Sequence, residues 1–359
     1  MASFINNRRL ENGNVSENSP LLRESDTSGK ARLQARDGSA SAWATFGVVC
    51  TVIWVQALIR WFASPTEFKP APILGPDKIA TWRLVGFRIF EALNLAVLLL
   101  LVWFCLLVPA FPYLRRFKKT DEASRLDMDG MSVIGGFVAW GADGLLNLKE
   151  YLFMFNAHGV NRGVWIRFIP FQSPKAATRY AEDLLIGPAM YVYFCEGFGL
   201  LGTWLAKPIR RRFPSLTNAG VLGLVWLIEF VADFVIENSA IRLTHVFGYT
   251  KTYGPLTLFQ GEVHQFPIYE SAFVASLGVV HTAMRIKWLD NGVSPVERGY
   301  EAWDERLHTA VRTFAVIGMC CAAVIMFYHL PLTWLGMVGD CHAHIPSYMQ
   351  PGEWANRQD

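Results

Sequence analysis

The most informative segment of the chain is Gly220-Val-Leu-Gly-Leu-Val-Trp-Leu-Ile-Glu-Phe-Val-Ala-Asp-Phe-Val-Ile-Glu237. It is almost entirely apolar, and an apolar run of this length predicts a helix that crosses a lipid bilayer. Glu229, Asp233 and Glu237 interrupt the run four residues apart, so they stack on one face of that helix. Because a carboxyl group in hydrocarbon costs roughly 3 kcal/mol on insertion scales, these acids are expected to face the interior of a bundle and to mark a site.

The composition extends this prediction to the whole chain. Hydrophobic residues make up 52% of the 359 residues, and only 18% are charged. The predicted fold class is all-α, a polytopic membrane helix bundle with about seven transmembrane helices. The net charge of +3 leaves no basic excess that would indicate nucleic acid. The high proportion of apolar residues makes the lipid bilayer the expected surroundings. The expected spans lie near 43–62, 85–107, 133–155, 184–205, 220–241, 266–284 and 310–330.

The distribution of Lys and Arg between these spans predicts their orientation. Basic residues are preferentially retained in the cytosol, and they are more frequent in the segments that share a side with the N-terminus. The N-terminus is therefore expected to be cytosolic and the C-terminus lumenal. The expected domains are a disordered cytosolic tail at 1–41, a seven-helix transmembrane domain at 42–335 and a short lumenal segment at 336–359.

A short motif in the tail suggests a location. Glu17-Asn-Ser-Pro-Leu21-Leu22 matches the acidic dileucine pattern that cytosolic sorting adaptors bind. Such an adaptor is a possible partner. The alternative is that the motif is a chance match and that no adaptor binds the tail. The protein is expected in the endoplasmic reticulum or another endomembrane as a multi-pass integral membrane protein.

Acids on several spans are expected to meet in the lumenal half of the bundle. On span three, Asp143, Asn147 and Glu150 follow one another at i, i+4 and i+7, which predicts one helical face. Tyr269 and Glu270 begin span six at the same depth. Helices that place polar groups at one depth can enclose one cavity, which the loop 156–165 would cover. The alternative is structural ion pairing, with Arg88 beside Glu91 and with Lys149 beside Asp143 or Glu150.

Blocks from Asp143 to Gly299 resemble the AveC-like spirocyclase family over roughly 130–330, and the source is expected to be fungal. The blocks are Asp143 through Asn156-Ala-His158-Gly-Val-Asn161 to Trp165, Ala232-Asp233-Phe-Val-Ile-Glu237, Gly261-Glu-Val-His-Gln265-Phe-Pro267-Ile-Tyr-Glu270 and Trp288-Leu-Asp290-Asn-Gly292-Val-Ser-Pro-Val-Glu297-Arg298-Gly299.

The resemblance implies cofactor-free cyclisation of a polyketide-type keto-diol to a spiroketal, sometimes with dehydration, so the expected partner is a hydrophobic small-molecule substrate. Glu237 or Asp233 is the expected acid and the other stabilises the developing cation, while Asp143 and Glu270 act as base or second acid. The expected substrate-binding residues are Asn147, Glu150, Asn156, His158, Trp165, Glu229, His264, Gln265 and Tyr269.

Two other functions remain open. Integral-membrane terpene cyclases of meroterpenoid pathways also use buried acids to steer a cation, so the substrate could be a terpenoid. A proton-coupled transporter would also need intramembrane acids.

Neither histidine nor cysteine spacing predicts a metal site. The eight His residues lack the clustered spacings of membrane di-iron hydroxylases, and Asp340-Cys341-His342-Ala-His344 is a short, isolated group. Cys50, Cys105, Cys195, Cys320 and Cys321 fall inside expected spans, where they are predicted to pack. No metal and no cofactor is therefore expected.

Overall fold

The computed structural model describes residues 38–111 and 126–352. Its helices form a bundle, and a helix overlaps each predicted span, although the helix at the third span is short. The helices are α1 (Ser39–Phe62), α2 (Thr81–Leu107), α3 (Met128–Trp140), α4 (187–212), α5 (Asn218–Thr244), α6 (Ile268–Asn291) and α7 (308–338). The predicted tail up to residue 37, with its dileucine motif, lies outside the described residues.

Within the described residues, four helices are long and apolar enough to cross a membrane. They are Ser39–Phe62, Thr81–Leu107, Asn218–Thr244 and Glu305–Val338. Four of the seven predicted spans thus have the length and apolar character that a span requires. The orientation of the termini stays a prediction.

The predicted third span is wrong as a continuous helix. α3 has 13 residues, about 20 Å at 1.5 Å per residue, which is short of the roughly 30 Å of a hydrocarbon core. The chain leaves α3 at Gly141 and forms a 3-10 turn over Asp143–Asn147. The Asn147 amide then accepts hydrogen bonds from the backbone N–H groups of Leu152 and Phe153 and donates to the Phe153 carbonyl. These bonds hold the chain in a turn where hydropathy alone predicts helix.

Two glycines let α1 pack closely against α7. A Cβ atom at Gly47 would collide with the backbone of Phe314 and Gly318, and a Cβ atom at Gly318 would collide with the Trp43 carbonyl. The missing side chains therefore bring the two backbones into direct contact, as small residues do in membrane bundles.

Three short antiparallel strand pairs form a cap over one end of the bundle. The pairs join β1 (Phe153–Phe155) to β2 (Phe247–Tyr249), β3 (Lys251–Thr252) to β6 (Cys341–His342), and β4 (Thr257–Leu258) to β5 (Phe266–Pro267). β2 follows the end of α5 and β5 immediately precedes α6. The cap thus lies where α5 ends and α6 begins.

Three of the long helices contain a π-helical turn, an irregularity that is frequent at functional sites. The turns occupy Val102–Leu107 in α2, Tyr193–Gly197 in α4 and Ile325–His329 in α7. They carry the buried polar or thiol side chains of Cys105, Cys195, Glu196 and His329.

Candidate active site

Three carboxyl groups converge beneath the cap. Asp233 and Glu237 lie one turn apart on α5, and Glu270 lies in the first turn of α6. One oxygen from each lies within 4.8 Å of the others. The Tyr249 hydroxyl donates a 2.6 Å hydrogen bond to Glu237 Oε1. Together the three carboxyl groups form what we call the acid trio.

The local fold explains how the acid trio is assembled. α5 ends at Thr244, and His245 adopts a left-handed conformation with φ of 52° that turns the chain away from the helix axis. The chain returns through β2 to β5 and enters α6 at Ile268. This return places Glu270 opposite the last turns of α5. Among the described residues, Asp233 Oδ2 and Glu270 Oε1 are buried without a hydrogen-bond partner.

A second buried polar group, which we call the Tyr191 chain, links α4, α7 and the turn after α3. The Tyr191 hydroxyl donates to Asp143 Oδ1 at 2.6 Å and lies 2.6 Å from His329 Nε2. Because a phenol has one hydrogen, His329 Nε2 must carry a proton and donate it to Tyr191. Glu182 lies beside Asp143 and accepts a bond from the Trp140 indole at 3.2 Å. Burial, and next the charge of Asp143, raise the pKa of Glu182 well above its ordinary value.

Tyr328 connects the two groups electrostatically. It is buried next to His329 in the π-helical turn of α7. Its phenol lies within electrostatic range of Glu270, Glu237 and Asp143. The acid trio and the Tyr191 chain therefore belong to one buried polar region.

A small recess, with room for about one water molecule, lies beside the acid trio. Tyr249 lines it and also bonds Glu237, so this side chain joins the recess to the trio. The recess is lined by Leu146, Leu152, Phe153, Tyr249, Lys251, Tyr269, Leu332, Thr333 and Gly336. Thr333 Oγ1 has no hydrogen-bond partner among the described residues, so it is available to a bound hydroxyl group.

The sequence profile of the family described as "Spirocyclase AveC-like" matches residues 123–346. The chain belongs to the AveC-like spirocyclase family. The match includes every member of the acid trio and of the Tyr191 chain. AveC-like membership indicates a cyclase-type enzyme of secondary metabolism. Neither the curated proteins nor the solved structures contained a significant match.

Three of the four acids predicted as catalytic in this AveC-like protein lie together. Asp233, Glu237 and Glu270 form the trio, whereas Asp143 belongs to the Tyr191 chain. Glu229 is separate: its buried carboxyl group packs where Gly278 of α6 lacks a side chain. Tyr269 lines the recess, and its hydroxyl accepts a hydrogen bond from the Tyr253 backbone.

The prediction that Asp143, Asn147 and Glu150 share one helical face is wrong, because α3 ends at Trp140, before the first of these residues. Asn147 holds the backbone of β1, and Glu150 forms an ion pair with Lys251 at 3.5 Å. The basic partner of Glu150 is thus Lys251 and not the expected Lys149. The predicted ion pair of Arg88 with Glu91 is confirmed.

The remaining predicted binding residues form contacts within the cap and its supports. The Asn156 amide donates to the His245 carbonyl, and its oxygen accepts from the His158 backbone N–H. The Trp165 indole donates to the Gly141 carbonyl. Two further contacts are made by Gln265, which donates to the Tyr249 carbonyl, and by His264, whose ring stacks on His245.

Several residues of this AveC-like site escaped prediction from the sequence. Glu182 and Tyr249 lie in connecting segments, and Tyr191 lies in a helix whose polar spacing is not periodic. His329 offered the one usable signal, since a histidine in an apolar run is itself a candidate site residue.

Proposed function

We propose that this AveC-like protein is a membrane-embedded, cofactor-free cyclase that closes an oxygen ring by acid catalysis. The reaction is spiroketal-type cyclisation of a hydrophobic keto-diol, with dehydration as a related outcome. The observation that carries the proposal is the convergence of Asp233, Glu237 and Glu270 within 4.8 Å beside an apolar recess. The proposed location is an endomembrane that the chain crosses several times.

Proton sharing within the trio suits this reaction. Three carboxyl groups at such short range cannot all be ionised, so at least one holds a proton while a neighbour is charged. The ketone and the first hydroxyl give a hemiketal. The protonated carboxyl group then transfers its proton to the hemiketal hydroxyl, which leaves as water and produces an oxocarbenium ion. The second hydroxyl attacks this cation, and its proton returns to the carboxylate, so the net change is the loss of one water.

The neighbouring residues have distinct parts in this proposal. An ionised member of the trio stabilises the oxocarbenium ion, since charge placed where a cation develops is among the largest catalytic contributions. Tyr249 fixes the orientation of Glu237 through its 2.6 Å bond. Asp143 is the second acid or base and is held by Tyr191 at 2.6 Å.

A direct test uses the full-length protein in lipid nanodiscs with a long-chain keto-diol as the probe. We expect a product lighter than the substrate by one water, and we expect D233N, E237Q and E270Q to slow its formation at least about 100-fold, the range of a lost general acid. Glu262→Gln is the matched control, because Glu262 is an exposed acid eight residues before Glu270. Wild-type rates in both D233N and E237Q would overturn the assignment.

The same preparation separates the alternative functions. Conversion of a prenylated epoxide to an isomeric ring product would indicate a terpene cyclase. Uptake of an unchanged solute into proteoliposomes, driven by a proton gradient, would indicate a transporter. Co-expression with neighbouring biosynthetic genes, followed by mass comparison of the metabolites, identifies the natural substrate.

A further inference from the structure

A cluster of soft ligands lies in the bundle interior, away from the acid trio. Cys195 of α4, His281 of α6 and Cys320 of α7 are all buried, and their ligand atoms lie within 4.8 Å of one another. His281 is eleven residues along α6 from Glu270, about 16 Å at 1.5 Å per residue. The cluster is therefore separate from the proposed reaction site.

The histidine ring is oriented as a metal ligand would be. His281 Nδ1 lies 3.0 Å from the Leu277 carbonyl, so this nitrogen carries the proton and donates it. The other nitrogen, Nε2, is then a lone-pair donor, and it is buried with no nitrogen or oxygen partner among the described residues. A ligating histidine commonly donates its second N–H to a backbone carbonyl in this way.

The backbone also makes room for one of the two sulfurs. A Cβ atom at Gly135 of α3 would lie 2.6 Å from Cys320 Sγ, so only glycine at this position leaves enough room for the thiol. Ligands at about 2.0 to 2.3 Å from one zinc ion lie about 3.5 to 4 Å apart. Small side-chain rotations thus bring the three atoms onto a single ion.

We propose that Cys195, His281 and Cys320 bind a thiophilic cation, Zn²⁺ or Cu⁺, that staples α4, α6 and α7 together. Two sulfurs and one imidazole are donor types that both ions accept, and they would fill three of the four positions of a tetrahedral zinc site. Each thiol releases a proton to solvent on binding. Two thiolates exactly balance Zn²⁺ but leave a net charge of −1 with Cu⁺, so the low-dielectric interior favours Zn²⁺.

The first test measures metal content in the full-length protein, purified in detergent without added metal. We expect about one equivalent of zinc per chain by mass spectrometry, and its loss in C195S, C320S and H281Q. Cys321→Ser is the matched control, because Cys321 is an equally buried neighbour on α7 that faces Cys50 and should retain the ion. Copper in place of zinc at the same three residues would identify Cu⁺ as the cation.

The second test needs no variant of the ligands. Exchange of the bound ion for Co²⁺ is expected to give a thiolate-to-metal charge-transfer band in the near ultraviolet, and G135A is expected to weaken it several-fold by displacing the Cys320 sulfur. Removal of the ion with a chelator should lower the thermal midpoint and expose two thiols to a maleimide. A folded wild-type protein with no ion and no cobalt band, or with a Cys195–Cys320 disulfide by mass, would overturn the proposal.

Discussion

Glu237 accepts a 2.6 Å hydrogen bond from Tyr249, so a cap residue on β2 fixes an acid on the long apolar helix α5. Tyr249→Phe removes this donor and keeps the ring. Because hydrogen bonds to charged groups contribute about 1.5 to 3 kcal/mol, we expect product formation to fall about 10- to 100-fold, and thermal unfolding measures any accompanying loss of stability. Tyr253→Phe is the control, because Tyr253 directly follows β3 in the cap and its ring is exposed. A wild-type rate in Y249F would remove Tyr249 from the mechanism.

Asn147 is expected to be structural and not catalytic. Asn147→Ala leaves the buried backbone groups of Leu152 and Phe153 without their partners, and we expect a loss of about 2 to 4 kcal/mol of stability. Thermal unfolding in detergent measures the loss. Asn291→Ala, at an exposed helix end, should change the midpoint little. If N147A keeps wild-type stability and loses activity, the result would contradict the structural role and favour a substrate-binding role for Asn147.

Asp183 should make the protein less stable as the pH rises. Burial, and next the charge of Glu91, raise the pKa of Asp183 to about 8. The folded protein therefore binds more protons than the unfolded chain between about pH 4 and pH 8, so stability is highest below this window and falls through it. We expect D183N, which keeps the caps to Leu185 and Ile186, to flatten the decline of the thermal midpoint.

Asp304→Asn is the control for this pH series, because Asp304 caps an exposed turn in a similar way. An unchanged slope in D183N, with a normal midpoint at acidic pH, would contradict the assignment of the decline to Asp183.

The contact between α1 and α7 should tolerate no side chain at its centre. We expect Gly47→Ala and Gly318→Ala each to cost about 1 to 3 kcal/mol, because the added methyl group would meet backbone atoms that cannot rotate away. Gly223→Ala on α5 is the control, since nothing lies within 4 Å of its Cβ position. That change should be neutral or stabilising, as alanine favours helix. Equal thermal midpoints for all three variants would show that the contact between α1 and α7 can accommodate a methyl group, which contradicts the prediction.

The sequence was sufficient to predict the features that depend on one segment at a time. The apolar run with acids at every fourth position predicted α5, which the structure forms over Asn218–Thr244. Asp233, Glu237 and Glu270 were expected in the same half of the bundle, and their carboxyl groups converge, whereas Glu229 lies apart from them. Their catalytic role stays a prediction.

Features that depend on contacts between segments were not predictable in this way. Hydropathy counts the apolar residues of 133–155 but does not register that the Asn147 side chain binds the backbone of β1. Tyr191 and His329 are 138 residues apart, and no helical period relates them. The three soft ligands likewise lie on three helices, so their spacing along the chain resembles no metal motif.

The pairing of β6 with β3 has a consequence for how the protein matures. β6 and the residues that follow it complete the cap, where Tyr348 contacts His245 and Met349 accepts a bond from Tyr151. A ribosome synthesises this segment only after all seven helices have been made. The cap can therefore close only after the end of α7 has been synthesised, so its assembly is one of the last events of folding.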